Sequence, residues 1–357
     1  MNLDFSAILG AAPTERPRYL HLFTHDDLDG VGCSIIFKAR YGLDAPATYC
    51  NYSTFNSRIA EYIGNMETKH RTGLLMITDA SVTPQTAALI DGYVERGGQV
   101  ALLDHHSNGA ALDGVPYLEW ISTKPWAHVD ALHCGTKLAY DYLQPGIGWA
   151  AFADLVQDYD VSGWLAAYPG HHPSPSPQAK ELNQLRYLVG KEDFATRFAA
   201  DPSVEFNAGE RLVLDLDHRT LDNYRKEVEN SAMVLEPNEL GQRFAVAFCD
   251  RYTTDVAHAM MNDLKLDGVV LIDLHHHKLS FRSHEGVNVG RVAQFLGGGG
   301  HAQAAGVTME AEGVKDMIKA LDALTLALGT TVSNLTAKLS LPPPSIEAEA
   351  EVEEPAL

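Results

Sequence analysis

An α/β architecture in two parts is predicted by three features of this 357-residue sequence. Apolar runs of strand length recur through the first 104 residues, with helix-length segments between them. A second strand-rich stretch begins near residue 243. Between the two, residues 179–232 show helical patterning alone. Strand and helix in alternation favour a parallel sheet, because each crossover lays a helix against the sheet. The reading is an N-terminal parallel-sheet domain with helices on both faces, a helical connector, and a smaller C-terminal mixed α/β domain.

Taken in order, "YLHLF" (19–23) is the first strand, and the helix-like "VGCSIIFKARYG" after it ends at Gly42. "ATYCNY" (47–52) is the second strand, followed by a helical stretch near 56–66. "GLLMIT" (73–78) is the third. The next segment, "PQTAALIDGYVERGG", has Pro84 suited to a first helical turn and Gly97 to a helix end. "QVALLD" (99–104) is the fourth strand. From about 137 to 168 the pattern turns helical, and "YPGHHPSPSPQ" (168–178) reads as a Pro-rich loop. The second unit follows as "RFAVAFCD", a helix "TTDVAHAMMNDL", "GVVLIDL", "KLSFRS", a helix "VNVGRVAQFL", and "GGGGHAQAAG". These boundaries predict a first domain over 1–168, a loop and helical connector over 169–240, and a second domain over 241–330. Residues 341–357 form an acidic tail expected to be disordered.

Composition narrows the function classes. The chain has 27 Lys and Arg against 47 Asp and Glu, a net charge of −20. Five glutamates (Glu347, Glu349, Glu351, Glu353, Glu354) lie beyond Lys338, the last basic residue, so the body is still about fifteen negative. Extended nucleic-acid binding rests on Lys and Arg neutralising phosphates, so long duplex nucleic acid is not expected as a partner. A short phosphorylated ligand held through metal ions is compatible with this field. Cys33, Cys50, Cys134 and Cys249 are scattered without a C-x-x-C spacing, which favours free thiols in a reducing compartment. No basic leader and no run of eighteen apolar residues is visible, so a cytoplasmic location without a membrane partner is expected.

The chemistry gathers at strand ends. In open parallel sheets, ligands sit outside the carboxyl ends of strands. The first strand leads into "THDDLDGVG" (24–32), with His25, Asp27 and Asp29. The third leads into Asp79, and the fourth into Asp104, His105 and His106. One Asp-x-Asp after a strand is usually a turn or a helix cap. Three such clusters at three strand ends point instead to a shared metal site. Crowded carboxylates raise each other's pKa unless positive charge joins them, and a pair of divalent cations supplies it. Oxygen and imidazole donors suit Mn²⁺, Mg²⁺, Fe²⁺ or Co²⁺.

These segments resemble a known family. "THDDLDGVG", "ITDAS", "LLDHH" and a later Asp-bearing segment look like the four motifs of the DHH phosphoesterase superfamily. "GGGGHAQAAG" (297–306) resembles the signature of the associated DHHA1 domain. The resemblance covers roughly residues 18–325 and is closest in look to the oligoribonuclease and dinucleotide phosphodiesterase branch. It implies two cations, Mn²⁺ first among the four. His25 and Asp27 would hold one, Asp29 and His105 the other, and Asp79 would bridge them. His106 would face the scissile phosphate, with Asp104 orienting the histidines. The fourth motif, "FADLVQDYDVSGW" (152–164), offers Asp160 first, Asp158 second and Asp154 last.

In the second domain, Arg282 of "LSFRS" resembles a family position that holds substrate phosphate, a task a guanidinium fork suits. Gly298, Gly299 and Gly300 allow close backbone approach to a phosphate, and His301 can hydrogen-bond it. His275-His276-His277 reads as a hairpin surface and His171-His172 as solvated. Thr136 and Lys137, at the start of a helix, are not expected to be essential.

The expected activity is therefore metal-dependent hydrolysis of short oligonucleotides or dinucleotides, such as pApA, to mononucleotides by a two-metal-activated hydroxide. The second domain is expected to grip the substrate. Three alternatives stay open: a single-strand-specific exonuclease, a cyclic-dinucleotide phosphodiesterase, and a catalytically silent nucleotide sensor. A homodimer is allowed for. Few aromatics, at 8%, leave no evident stacking platform.

Overall fold

The computed structural model describes residues 9–107, 109–162 and 174–308. Two compact units divide between Asp215 and Leu216. The first runs β1 (Leu20–His25), α1 (Leu28–Tyr41), β2 (Ala47–Cys50), α2 (Tyr52–Thr68), β3 (Leu74–Thr78), α3 (Pro84–Glu95), β4 (Gln99–Asp104), α4 (Tyr117–Ile121) and β5 (Ala127–Val129). Helices α5 (Gly135–Leu143), α6 (Ala150–Val161), α7 (Pro177–Val189), α8 (Lys191–Ala200) and α9 (Ala208–Ser231) follow, and the division falls within α9.

The five strands pair in parallel in the order β2-β1-β3-β4-β5. Both faces of the sheet are covered, so central β3 is buried at every position and apolar from Leu74 to Ile77, with only Thr78 polar, instead of alternating. On one face, Leu22 and Met76 pack with Ile35 and Phe37 of α1, Leu138 of α5 and Phe198 of α8. On the other, Phe23, Leu75 and Ile77 pack with Phe55 and Ile59 of α2, Ile90 of α3 and Trp120 of α4. Each such fully buried side chain contributes roughly 1.5–3 kcal/mol relative to exposure. The winding reverses at β1, with β2 on one side and β3 on the other. Doubly wound sheets open a crevice at that reversal, beyond the carboxyl ends of the strands.

The second unit continues with β6 (Met233–Val234), β7 (Phe244–Phe248), α10 (Thr253–Asp263), β8 (Gly268–Asp273), β9 (Lys278–Ser283), α11 (Val289–Phe295), β10 (Gly299–Gly300) and β11 (Ala304–Thr308). Its sheet order is β10-β11-β9-β8-β7-β6. β7 and β8 pair in parallel and the other neighbours antiparallel. Val270, Ile272 and Phe281 pack under α11 on one face, and Val269 and Leu271 under α10 on the other.

The expected fold class is borne out: a parallel sheet between helices, helices after it, then a mixed sheet. Two details differ. The three-residue edge strand β5 was not foreseen, because "AHV" is too short and too polar to stand out. The Pro-rich segment was expected as loop through Gln178, yet α7 begins at Pro177. Ser176 caps it by accepting from the Ala179 N–H at 3.2 Å, and a proline in the first turn loses no helical hydrogen bond. His171, His172 and the acidic tail lie outside the described residues. Among the described residues no helix is long and apolar enough to cross a membrane.

Candidate metal centre

The stretch between β1 and α1 sorts its three carboxylates by backbone geometry. Asp27 caps α1, accepting from the Gly30 N–H at 3.0 Å, and its other oxygen lies 2.9 Å from His25 Nδ1. Asp29, in the first helical turn, is buried. Asp26 points outward with its carboxylate half-exposed. A Cβ at Gly30 would overlap the His25 carbonyl, and one at Gly32 would overlap the Thr136 hydroxyl. The glycines of "DLDGVG" are therefore required for the turn to close and for α5 to approach.

That approach satisfies Asp29. The N–H groups of Gly135 and Thr136, at the start of α5, donate to its two oxygens at 2.6 and 2.7 Å. The Thr136 hydroxyl donates to the Asp29 carbonyl at 2.7 Å. A helix N-terminus is a natural partner for a carboxylate, since its first N–H groups have no intrahelical acceptor.

Asp79 follows β3 with a positive φ of 55° and is buried. Its N–H donates to the Leu103 carbonyl at 3.1 Å, which fixes this left-handed turn against β4. Asp104 ends β4 fully buried. Its Oδ1 takes the N–H groups of His105 and His106 at 2.8 and 3.2 Å and the His106 Nδ1–H at 2.7 Å. Its Oδ2 accepts from the Ser81 hydroxyl at 3.2 Å. With Asp104 holding both following residues, His105 Nε2 lies 3.2 Å from Asp79, 3.6 Å from Asp160 and 3.8 Å from Asp29.

Among the described residues donor atoms converge in three groups, within each of which every donor lies within 4.8 Å of the others: His25, Asp27 and Asp79; Asp29, His105 and Asp160; and Asp79, His105 and His106. Asp158, the second choice for the fourth motif, is turned away. It accepts from the Ser162 hydroxyl and, at 2.9 Å, from the Ser176 N–H. Asp154 pairs with Lys137 at 2.6 Å.

Electrostatics mark the same cluster. Burial, then the charges of Asp29 and Asp27, push Asp79 well above the usual carboxylate range. The same causes push Asp160 up to about 9. Asp27 goes the other way: burial acts upward, but His25 and the Gly30 N–H outweigh it and leave the carboxyl at about 2. Burial opposes protonation of His106, yet Asp104 prevails and raises its pKa. Asp79 Oδ2 and Asp160 Oδ2 are buried with no hydrogen-bond partner. A buried, unpartnered carboxylate oxygen is costly, and a cation removes that cost. Burial and Asp29 push the nearby Cys33 thiol well up, so it stays protonated and the donor set remains oxygen and imidazole. The residues present fit a pair of hard to borderline divalent cations.

Sequence reasoning missed the residues that arrive from far along the chain. The Arg186 guanidinium, buried on α7, donates to the Asp26 carbonyl at 3.1 Å and so holds the β1–α1 turn from 160 residues away. Nothing local in "NQLRYLV" signals this. Thr136, not expected to be essential, is buried and supports Asp29 through its N–H and its hydroxyl. Tyr52, at the start of α2, stacks on His25 with ring centroids 4.3 Å apart. The sequence reading carries the second strand through Tyr52, whereas β2 ends at Cys50 and Tyr52 opens α2, so nothing in the sequence singled it out.

In the second unit Arg282 donates to the Phe281 carbonyl at 2.9 Å and to Thr254 Oγ1 at 3.3 Å. It sits opposite Ala304 in the β9–β11 register. The Ala304 carbonyl accepts from the His301 N–H at 2.8 Å, and the Ala293 carbonyl takes the Gly298 N–H at 2.8 Å. The Gly298 amide, one of those expected to approach a phosphate, is thus taken up by α11, and the His301 amide closes the hairpin. Gly298 and Gly300 serve packing, since a Cβ at either would collide with β11. His275-His276-His277 follows β8, with His276 Nδ1 against Asp273 at 2.7 Å.

Comparison with known proteins finds a family match over the segment that carries "GGGGHAQAAG". The DHHA1 domain family matches residues 241–326. Oligoribonuclease NrnB of Bacillus subtilis (strain 168) is 28% identical over 306 residues, covering 82% of this chain and 73% of NrnB. Among solved structures, the pGpG-specific phosphodiesterase PggH from Vibrio cholerae aligns over 87% of this chain and 99% of its own, at 10% identity and a TM-score of 0.49. Exonuclease RecJ bound to manganese aligns over 90% of this chain and 93% of its own, at 17% identity and a TM-score of 0.49.

Proposed function

Taking the chain as a member of the DHH/DHHA1 phosphoesterase superfamily, we propose that it is a divalent-metal-dependent phosphodiesterase that hydrolyses short oligonucleotides or dinucleotides, such as pApA, to mononucleotides. The observation that carries this reading is the buried Asp79 carboxylate. It belongs to two of the donor groups, and one of its oxygens has no partner within the protein. His25, Asp27 and Asp79 would hold one cation, and Asp29, His105 and Asp160, with Asp79, the other. Mn²⁺ is the first candidate, ahead of Mg²⁺, Co²⁺ and Fe²⁺. Bound there, the pair would supply Lewis acidity toward a phosphoryl oxygen and an acidified water.

The rest falls to the protein. Asp104 holds the His106 Nδ1–H and favours the imidazolium, whose Nε2–H can donate to a phosphoryl oxygen. Arg186 and the α5 N-terminus keep the ligand turn rigid, so little reorganises when charge develops. In the second unit Arg282, His301 and the Gly298–Gly300 hairpin are proposed to bind substrate. Four buried free cysteines suit a reducing compartment, and a cytoplasmic location is proposed on that basis.

The test is product analysis with 5′-phosphorylated oligonucleotides of two to twenty nucleotides, alongside cyclic dinucleotides and pyrophosphate, with Mn²⁺ and after chelation. Mononucleotides from the shortest substrates, lost on chelation and restored by Mn²⁺, are expected. Asp79→Ala should lower kcat by orders of magnitude, whereas His301→Ala should mainly raise KM. Full activity in metal-free protein would overturn the reading.

A further inference from the structure

One side of the cluster is aromatic. Tyr52 opens α2 directly after Asn51, whose side chain caps that helix by accepting from the Thr54 N–H at 3.1 Å. The cap fixes Tyr52 just beyond the carboxyl end of β2, the strand beside β1. Its ring lies against the His25 imidazole, with centroids 4.3 Å apart and planes 25° from parallel. It meets His106 edge-on at 5.9 Å, and its hydroxyl lies 3.3 Å from His106 Nε2.

The side chain nevertheless remains 57% exposed. The buried face of α2 is formed by Phe55, Ile59, Ile63 and Met66, so the helix does not need Tyr52 for its packing. The ring is stacked on His25, and more than half of the residue meets solvent beside the donor groups. A tyrosine held by one stacked contact and otherwise exposed, next to a candidate site for phosphate chemistry, has the form of a stacking platform. Bases stack on such rings whatever their identity, because every base has a π-face.

We propose that the solvent-facing side of Tyr52 is a nucleobase subsite, on which the base next to the scissile phosphate stacks. This rests on the phosphodiesterase reading above and sharpens it. Nucleotidic phosphodiesters are selected over base-free phosphate esters, without a preference among the four bases. Stacking on an aromatic side chain is worth about ten-fold to a hundred-fold in affinity.

The test uses the full chain with Mn²⁺ and four proteins: wild type, Tyr52→Phe, Tyr52→Trp and Tyr52→Leu. Two substrates are compared, a 5′-phosphorylated dinucleotide and its abasic analogue. Binding of a hydrolysis-resistant phosphorothioate form of each is measured by calorimetry. The wild type should prefer the base-bearing compound in both KM and Kd. Phe and Trp should keep that preference, and Leu should reduce it by about ten-fold to a hundred-fold. An unchanged preference in the Leu variant would overturn the subsite. So would equal losses in Phe and Leu, which would assign the effect to the hydroxyl on His106. A misfolded Leu variant leaves the comparison of Trp with wild type, where any loss of base preference counts against stacking. If the wild type cleaves neither compound, the phosphodiesterase reading fails, and the calorimetric preference still decides the subsite.

Discussion

The Thr136 N–H lies 2.7 Å from Asp29 Oδ1, and the Thr136 hydroxyl lies 2.7 Å from the Asp29 carbonyl. Residues 107 positions apart are thereby joined at both side chain and main chain. Asp29 is oriented by a helix N-terminus before any cation arrives. Its two oxygens are aimed by the N–H groups of Gly135 and Thr136, so the fold itself places the carboxylate.

Gly135 makes this contact sterically possible. A Cβ there would lie 2.9 Å from Asp29 Oδ2 and 3.0 Å from the Asp79 Cβ. Gly135→Ala should weaken Mn²⁺ binding by at least ten-fold in calorimetric titration. Thr136→Val keeps the N–H but loses the hydroxyl. It should cost about 1 kcal/mol of stability and affect metal binding less than Gly135→Ala does. The reverse order would show that Asp29 is held by the hydroxyl and not by the helix end.

Asp160 and Asp158 make a second test. Asp160 Oδ2 is buried without a hydrogen-bond partner, 3.6 Å from His105 Nε2, whereas Asp158 is engaged by Ser162 and Ser176. Asp160→Asn should lower the number of tightly bound Mn²⁺ ions from two toward one. Asp158→Asn should leave that stoichiometry at two and shift only the melting temperature. Loss of an ion in Asp158→Asn alone would assign the fourth motif to the other aspartate.

The same pair shows what was legible in the sequence. Candidate donors that follow a strand end, such as His25, Asp27, Asp79 and His105, could be picked out because the strand positions them directly, and the structure brings them together. On a helix the phase matters, since residues two apart point nearly to opposite sides at 3.6 residues per turn. "QDYDVSGW" carries no mark of which side faces the sheet, so Asp158 and Asp160 stayed open until the packing of α6 was seen. Arg186 and Thr136 were not readable as supports, because their partners lie 160 and 107 residues away. The first sheet was legible for a simpler reason: buried parallel strands are written as apolar runs such as "LLMI".

The carboxylate cluster should give metal-free protein an inverted pH response. Folded Asp160 titrates at about 9 and folded Asp79 is also shifted upward, while both titrate near about 4 when unfolded. Between those limits the folded chain binds more protons than the unfolded one, so this contribution to stability falls as pH rises. Asp27, held at about 2, contributes in the opposite sense, and its share is lost only as pH falls from about 4 toward 2. Chelated protein should therefore melt lower at pH 8 than at pH 5. Mn²⁺ should raise the melting temperature most at the higher pH, and Asp160→Asn should flatten the slope. A slope that the Asn variant leaves unchanged would place the titrating groups elsewhere.

Substrate length should follow from charge. The chain carries a net charge of −20, of which five negative charges belong to glutamates beyond Lys338. On the proposed function a phosphate at the donor cluster would be compensated by cations, but each further phosphate would meet a negative body with few Lys and Arg to receive it. That repulsion is screened over about 8 Å at physiological ionic strength, so it acts on the nucleotides nearest the protein surface. Attraction saturates once the scissile phosphate and its neighbouring base are held, while repulsion keeps accumulating along the strand. Efficiency, as kcat/KM, should peak for substrates of two to about five nucleotides and decline beyond them. Added salt should narrow the gap, because it weakens the repulsion more than the contacts at the buried cluster. Initial rates on a length series at two ionic strengths measure both effects. Twenty-nucleotide DNA cleaved as efficiently as a dinucleotide at low salt would contradict the argument and favour processive exonuclease action.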